Sequence, residues 1–276
     1  ETGRASRGHR FMSDGEIAIQ NAKDYPATLE KASVIVDFEQ RKQEIVKQLE
    51  DQASSLEANL ELDESLLDEV TALVEFPCVL SGSFGADFLE IPEEALISAM
   101  KKHQRYFHLT NDKDKLLANF ITVSNILSKD SSIVIAGNER VIRPRLADAV
   151  FFFRKDSATT MVEKLTRLQS VVFQSELGTF YEKAERVSKL AGSIAKESQI
   201  DEVASTRAGL LCKADLVSEM VNEFPDLQGT MGGYYAANDG EDEAVCNAIR
   251  QHYMPIFSGA GLPSNPVASC VALADK

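Results

Sequence analysis

Tryptophan is absent from this 276-residue chain, and cysteine and histidine occur only four times each. No apolar run approaches the roughly 18 residues that a membrane-spanning helix needs, so no membrane partner is expected. The cysteines (Cys78, Cys212, Cys246, Cys270) are scattered without a CxxC pair, and so are the histidines (His9, His103, His108, His252). That spacing argues against a zinc module and gives no disulfide framework, so reduced cysteines and a cytoplasmic setting are expected. The phosphate-cradling patterns GxxxxGK(S/T) and GxGxxG are missing, as are the GxSxG nucleophile elbow and the metal-binding HExxH. The opening Glu1-Thr2-Gly3-Arg4 carries no signal-peptide pattern, and the end at Ala274-Asp275-Lys276 falls inside what reads as a helix. Both ends are those expected of a piece of a longer protein.

What the chain has in abundance is negative charge: 43 Asp and Glu against 29 Lys and Arg, a formal net charge of −14. Residues 30–70 hold 12 acids and 4 bases, and residues 215–243 hold 8 acids and no base. Such a chain repels polyanions at long range. A local basic face can still meet phosphate within about one Debye length, roughly 8–10 Å. Two stretches qualify: Lys101, Lys102 and Arg105, and then Arg140, Arg143 and Arg145. Arg4, Arg7 and Arg10 form a third basic spot. In Arg143-Pro144-Arg145 the proline is expected to break the helix and bias Arg143 to an extended form, carrying both guanidinium groups on a stiff segment.

Hydropathy spacing divides the chain into two parts. Ile35, Phe38, Ile45, Leu49 and Leu56 form a narrow apolar stripe, which predicts a long charged helix near 34–58. Asp63 is placed to cap a second helix that ends before Phe76-Pro77. Cys78–Leu80 and Phe88–Ile91 read as two strands around a Gly82–Gly85 turn, and Pro92 opens a helix to about His103. Arg105–Leu109 and Asn119–Ile126 read as further strands around the polar turn Asn111–Lys115. From about residue 159 only helices are expected, at 160–168, 174–197, 203–222, 241–253 and 265–275. The fold class is therefore α+β, with a mixed α/β domain over 1–156 and an all-α domain over 157–276.

The stretch from Lys183 to Ala191 and the later Leu211-Cys212-Lys213-Ala214-Asp215 resemble the helical HD phosphohydrolase framework. In that framework His and Asp side chains bind a divalent metal that activates water. Here Lys183 stands at the first His position and Lys213-Ala214-Asp215 where His-Asp belongs. An ammonium has no lone pair to offer a metal. The resemblance thus implies an HD-like scaffold with a degenerate, metal-free centre, in which Lys183 and Lys213 supply the positive charge and a salt bridge to Asp215 is expected.

Longer blocks carry a more specific likeness. Arg7–Phe11, FPCVLSGSF (76–84), IPEEALISAMKKHQRYF (91–107), NFITVSNI (119–126), GNERVIRPRLADAVFFF (137–153), the stretch 206–236 and LPSNPVA (262–268) resemble, in order, the beta subunit of the bacterial-type tetrameric glycyl-tRNA synthetase. The resemblance implies an α2β2 heterotetramer in which the alpha subunit holds the ATP- and glycine-activating site, with Mg, and the beta subunit recognises tRNA(Gly). This chain would be a central segment, a B3/B4-like module followed by the HD-like helices. It would have no catalytic residue, no metal and no cofactor of its own. Its partners would be the alpha subunit and tRNA(Gly), with Lys101, Lys102, Arg105, Arg140, Arg143 and Arg145 as the candidate tRNA contacts. The alternatives are a metal-dependent HD-type phosphohydrolase, or a pure protein-interaction module that touches no RNA.

Overall fold

The computed structural model describes residues 3–276. The backbone falls into two compact units, one reaching to Ala147 and the other Asp148–Lys276. The division lies inside a single helix, whose C-terminal end carries the 156/157 boundary expected from sequence.

The first unit opens with a small antiparallel hairpin, β1 (Ala5–Arg7) and β2 (Glu16–Ala18), followed by the short helix α1 (Tyr25–Glu30). The long charged helix is α2 (Phe38–Ser55), shorter at its start than the apolar stripe suggests. Asp37 sets that start by accepting the Gln40 N–H, one of the donors a helix N-terminus leaves without an internal partner. Asp63 does the same for α3 (Glu64–Leu73) through the Leu66 N–H. Ile45 and Leu49 of α2 and Leu66, Leu67 and Val70 of α3 pack with Val79, Phe107, Leu109 and Ile121 of the sheet as one apolar core.

That sheet has three antiparallel strands in the order β3 (Cys78–Ser83), β5 (Leu116–Ser124), β4 (Phe107–Thr110). Between β3 and β4 lies α4 (Glu93–Ala99), which widens over Met100–Gln104 into a turn of π-helix. The expected strand at 88–91 is instead a 3-10 turn, Ala86–Glu90. Pro92 directly after it has no N–H to give a ladder. β5 pairs with β3 from Cys78↔Ser124 to Ser83↔Asn119 in its place.

Helix α5 (Ser131–Ser157) runs through Pro144 without stopping. This overturns the extended Arg143-Pro144-Arg145 segment. Proline inside a helix forfeits one bond to the carbonyl four residues back. Arg140 and Pro144 are both exposed, so water can take the place of that lost donor.

The second unit contains α6 (Met161–Arg167), a two-stranded hairpin β6 (Val172–Gln174) and β7 (Gly178–Thr179), and then α7 (Phe180–Glu197) and α8 (Glu202–Leu211). The hairpin corrects the all-helical expectation. The helix expected from 174 begins only at Phe180, where Thr179 and Glu182 form a reciprocal capping box. The helix expected over 203–222 is likewise interrupted. It ends at Leu211, passes through a 3-10 turn at Ala214–Val217, and resumes as α9 (Glu219–Glu223) with Ser218 accepting the Val221 N–H. Leu211 and Met220 are fully buried, whereas Leu210 and Val217 are only half-buried.

α10 (Thr230–Asn238), α11 (Glu243–Gln251) and α12 (Pro266–Asp275) complete the unit. α7 and α8 lie side by side, and α11 and α12 pack across them. Gly209 permits the α7–α8 approach: a Cβ there would sit 2.9 Å from the Ser188 Cα, closer than such atoms come.

Candidate functional site

Four chain segments converge on the middle of the second unit. The first turn of α7 brings Lys183, the turn after α8 brings Lys213 and Asp215, the end of α11 brings His252, and the last residue of α12 is Asp275. The Lys213 Nζ donates to Asp275 Oδ2 at 2.6 Å and to His252 Nε2 at 3.0 Å, and lies 3.9 Å from the centre of the Tyr253 ring. The Lys183 Nζ is 2.9 Å from Asp275 Oδ1 and 4.5 Å from the centre of the Phe173 ring. Each ammonium therefore has a carboxylate oxygen and an aromatic face, the two environments that best replace water around a buried cation.

The expected partner of these lysines was Asp215; the structure gives them Asp275 instead. The path of the backbone at the end of α8 explains the difference. Lys213 precedes the 3-10 turn Ala214–Val217 and Asp215 lies within it, so the two are not stacked one turn apart and face different neighbours. Asp215 turns toward the start of α10, where its Oδ2 accepts the N–H groups of Gly229 at 2.6 Å and Gly232 at 3.1 Å. Its Oδ1 is buried and has no partner.

The electrostatics follow from this geometry. Burial and the neighbouring Lys213 charge hold the His252 imidazole neutral, its pKa lowered to about 3. Its Nδ1 lies 2.6 Å from the Ile249 carbonyl, which can only accept, so Nδ1 carries the proton and Nε2 receives the Lys213 ammonium. Burial works to raise the Asp275 pKa, but the Lys213 charge and the hydrogen bonds from both lysines outweigh it, and the carboxyl stays ionised below its usual range. Asp215 goes the other way. Burial pushes its pKa up to about 6, against the opposing pull of the two glycine N–H groups.

A prediction follows for Asp215. Its carboxyl is held protonated in the folded chain up to about pH 6 and ionises near 3.8 when free, so wild-type stability falls as pH rises through that window. Asp215→Asn keeps an acceptor for Gly229 and Gly232 but cannot ionise. Between pH 4.5 and 7.5 its stability relative to wild type, read from urea unfolding, should rise by about 2 kcal/mol. A difference that does not change with pH would show that Asp215 does not titrate in this range.

The donor set does not suit a divalent metal. Two of the groups are ammonium ions, both nitrogens of His252 are engaged, and Asp275 is claimed by the lysines. Among the described residues no group of three or more His, Cys, Asp or Glu side chains gathers as a metal cage. The adjacent Cys212 is no nucleophile either, since burial pushes its thiol up to about 12.

The candidate tRNA contacts separate into two kinds. Lys101 pairs with Asp63, the cap of α3, and the Arg105 Nε donates to Glu69 Oε1 at 2.5 Å. Lys102 is also engaged within the chain. The charge of this cluster is thus largely answered by the acidic α3. Arg140, Arg143 and Arg145 are exposed, and none forms an ion pair or side-chain hydrogen bond among the described residues. Glu139, one possible partner, instead accepts the Ser83 N–H at 2.8 Å and its hydroxyl at 2.9 Å. On α5, Arg140 and Arg143 are three residues apart, about 60° from each other around the helix, and lie to one side of the buried stripe of Ile142 and Leu146. Arg145 points about 140° around the helix from Arg140.

Asp275, His252, Tyr253 and Phe173 escaped the sequence reading. Each lies some 40 to 60 residues from a lysine it contacts, or on a hairpin mistaken for helix, and no local spacing links them. The only signal was the lysine at a metal-ligand position, which implied a counter-charge without naming it.

Comparison with known proteins places the chain among the subunits of aminoacyl-tRNA synthetases. It is 50% identical to the glycine–tRNA ligase beta subunit of Alteromonas mediterranea over all of its length, and 50% identical to that of Haemophilus influenzae over 99% of it. It is also 50% identical over 98% of its length to that of Neisseria meningitidis. The family described as glycyl-tRNA synthetase beta subunit matches residues 1–276, and the chain belongs to it. The chain spans about 40% of the length of the Alteromonas and Haemophilus relatives. No helix among the described residues is long and apolar enough to cross a membrane.

Proposed function

We propose that this chain is a non-catalytic, tRNA-contacting scaffold segment of a glycine–tRNA ligase beta subunit. It supports ATP-dependent attachment of glycine to tRNA(Gly) by an alpha/beta heterotetramer in the cytoplasm. In this reading the alpha subunit binds ATP and Mg and performs the chemistry. The first unit is a B3/B4-like module, and the second is an HD-like helical domain whose metal centre has become structural. The observation that carries the reading is the Lys213–Asp275–Lys183 cluster. In this reading it takes the place of the metal ligands of an HD-type hydrolase, with both ammonium groups and Asp275 committed to one another. Family membership supplies the reaction.

The tRNA contact is assigned to Arg140 and Arg143, whose shared face and unpaired guanidinium groups suit adjacent phosphates. Arg145 adds charge from the flank. The ion-paired Lys101 and Arg105, with Lys102, form a weaker rim. In the assembled enzyme, Arg140→Ala/Arg143→Ala should weaken tRNA(Gly) binding and reduce the magnitude of the log K versus log salt slope by roughly one to two units. Its melting temperature should stay unchanged. Lys101→Ala should do the reverse, lowering the melting temperature through loss of the Asp63 pair while moving the slope little. A double-arginine variant with the wild-type slope and a lowered melting temperature would remove these residues from the RNA face.

A further inference from the structure

The third basic spot remains. Arg4, Arg7 and Arg10 lie on the β1–β2 hairpin, all exposed, and none forms an ion pair among the described residues of a chain in which acids outnumber bases. Arg7 and Glu16 are directly opposite in register but do not pair, and Asp14 is close by in the turn. With three guanidinium groups against two carboxylates, the hairpin keeps a local positive excess.

The turn that carries these groups is firmly held. His9 is almost fully buried. Its N–H donates to the Ala32 carbonyl at 2.9 Å, its Nδ1 accepts the Phe11 N–H at 3.2 Å, and its carbonyl accepts the Ser13 N–H at 3.0 Å. Gly8 presses on Ala32 so closely that a Cβ would come within 2.5 Å of the alanine methyl. His9 and Gly8 thereby anchor the loop, and Arg7, Arg10 and Phe11 project from a fixed base.

Two features point to the ligand. Phe11 is 73% exposed, with the Arg10 guanidinium 5.5 Å from its ring centre. That arrangement leaves a bare aromatic face backed by a cation. Two open cavities flank the hairpin. One, of about 560 Å³, is lined by Arg7, Gly8, Arg10, Ser13, Gly15 and Glu16. The other, of about 670 Å³, includes Arg4, Gln20, Asn21 and Tyr25 in its lining. Arginine alternating with exposed aromatic rings, beside amide and hydroxyl groups, matches the chemistry of unpaired nucleotides: bases stack on the rings while phosphates meet the guanidinium groups.

We infer that the β1–β2 hairpin is a binding site for a single-stranded RNA segment, with Phe11 and Tyr25 as stacking platforms and Arg4, Arg7 and Arg10 as phosphate contacts. The inference rests on the reading that the protein works on tRNA, and it adds a surface separate in sequence from Arg140 and Arg143. The hairpin side chains are solvent-exposed, so the substitutions below should leave the melting temperature unchanged.

The test uses the full-length protein with two labelled probes, a tRNA(Gly) transcript and an unstructured RNA of about 12 nucleotides, titrated over about 50–300 mM salt. Arg7→Ala/Arg10→Ala should weaken both probes by about tenfold or more and reduce the slope by about 0.7 per lost contact. Phe11→Ala should weaken them by roughly tenfold with the slope unchanged, since stacking releases no counterion. Arg7→Lys/Arg10→Lys should keep the slope. Wild-type affinity in both the arginine-to-alanine and Phe11→Ala variants overturns the inference. If tRNA binding falls only in Arg140→Ala/Arg143→Ala, the functional reading stands and the hairpin assignment fails. If the wild type binds neither probe, both fail. Intact RNA binding accompanied by loss of subunit assembly would make the hairpin a protein contact, and would also overturn the inference.

Discussion

Asp275→Ala should destabilise the helical unit by about 3–5 kcal/mol, because it strands two ammonium groups in the interior. The Lys213 side chain is 3% exposed and the Lys183 side chain 19%, and both take their carboxylate from this one residue. Lys213→Met should cost less, since Asp275 keeps Lys183 and the methionine stem still fills the space beside Tyr253. The double variant Lys213→Met/Asp275→Ala should therefore be more stable than the sum of the single losses predicts. Urea unfolding of the four proteins at neutral pH measures the coupling. Additive losses would mean that Lys213 and Asp275 do not act on each other. The pH dependence has a definite sign. The Asp275 carboxyl is held below its free value, so its contribution is present above about pH 4 and is lost as pH falls through the lowered folded value.

Leu211→Ala should cost about 2–5 kcal/mol, from lost transfer energy plus the cavity left behind. Leu211 is fully buried at the end of α8, where the chain turns to deliver Lys213 and Asp215. Because Gly209 already brings α7 and α8 to backbone contact, the helices have little room to close over a void. The loss should therefore fall in the upper part of that range. A loss under about half a kcal/mol would mean that the side chain is not packed as described.

The elements easiest to read from sequence were those whose signals are local. Asp63 caps α3, and Asn265 with Pro266 opens α12 where the sequence placed it. The misreadings share a physical cause, which is that tertiary partners outweighed local preference. Residues 203–222 have helical spacing throughout, yet the chain bends there and the Asp215 carboxylate accepts two backbone donors at the start of α10, Gly229 and Gly232. Pro144 should break a helix, but its exposed position makes the missing bond cheap enough for α5 to continue. The strand expected at 88–91 lost its place to β5, a longer strand able to pair on both sides. For the candidate site, sequence located the lysines and Asp215 but not the residue that answers their charge. Asp275 is 62 residues from Lys213, and nothing in the intervening pattern ties the two together.

The Lys213–Asp275–Lys183 cluster also bears on what the fold must draw from its surroundings. A bound ion stabilises a protein by mass action, so its contribution grows with the logarithm of the free ion concentration and vanishes when the ion is sequestered. A side-chain ammonium obeys no such law. It is present at one copy per chain at every dilution, needs no delivery, and cannot be displaced by a competing cation from solution. The charge balance at the centre of these helices is therefore written into each molecule at synthesis, and is insensitive to changes in the ionic supply around it.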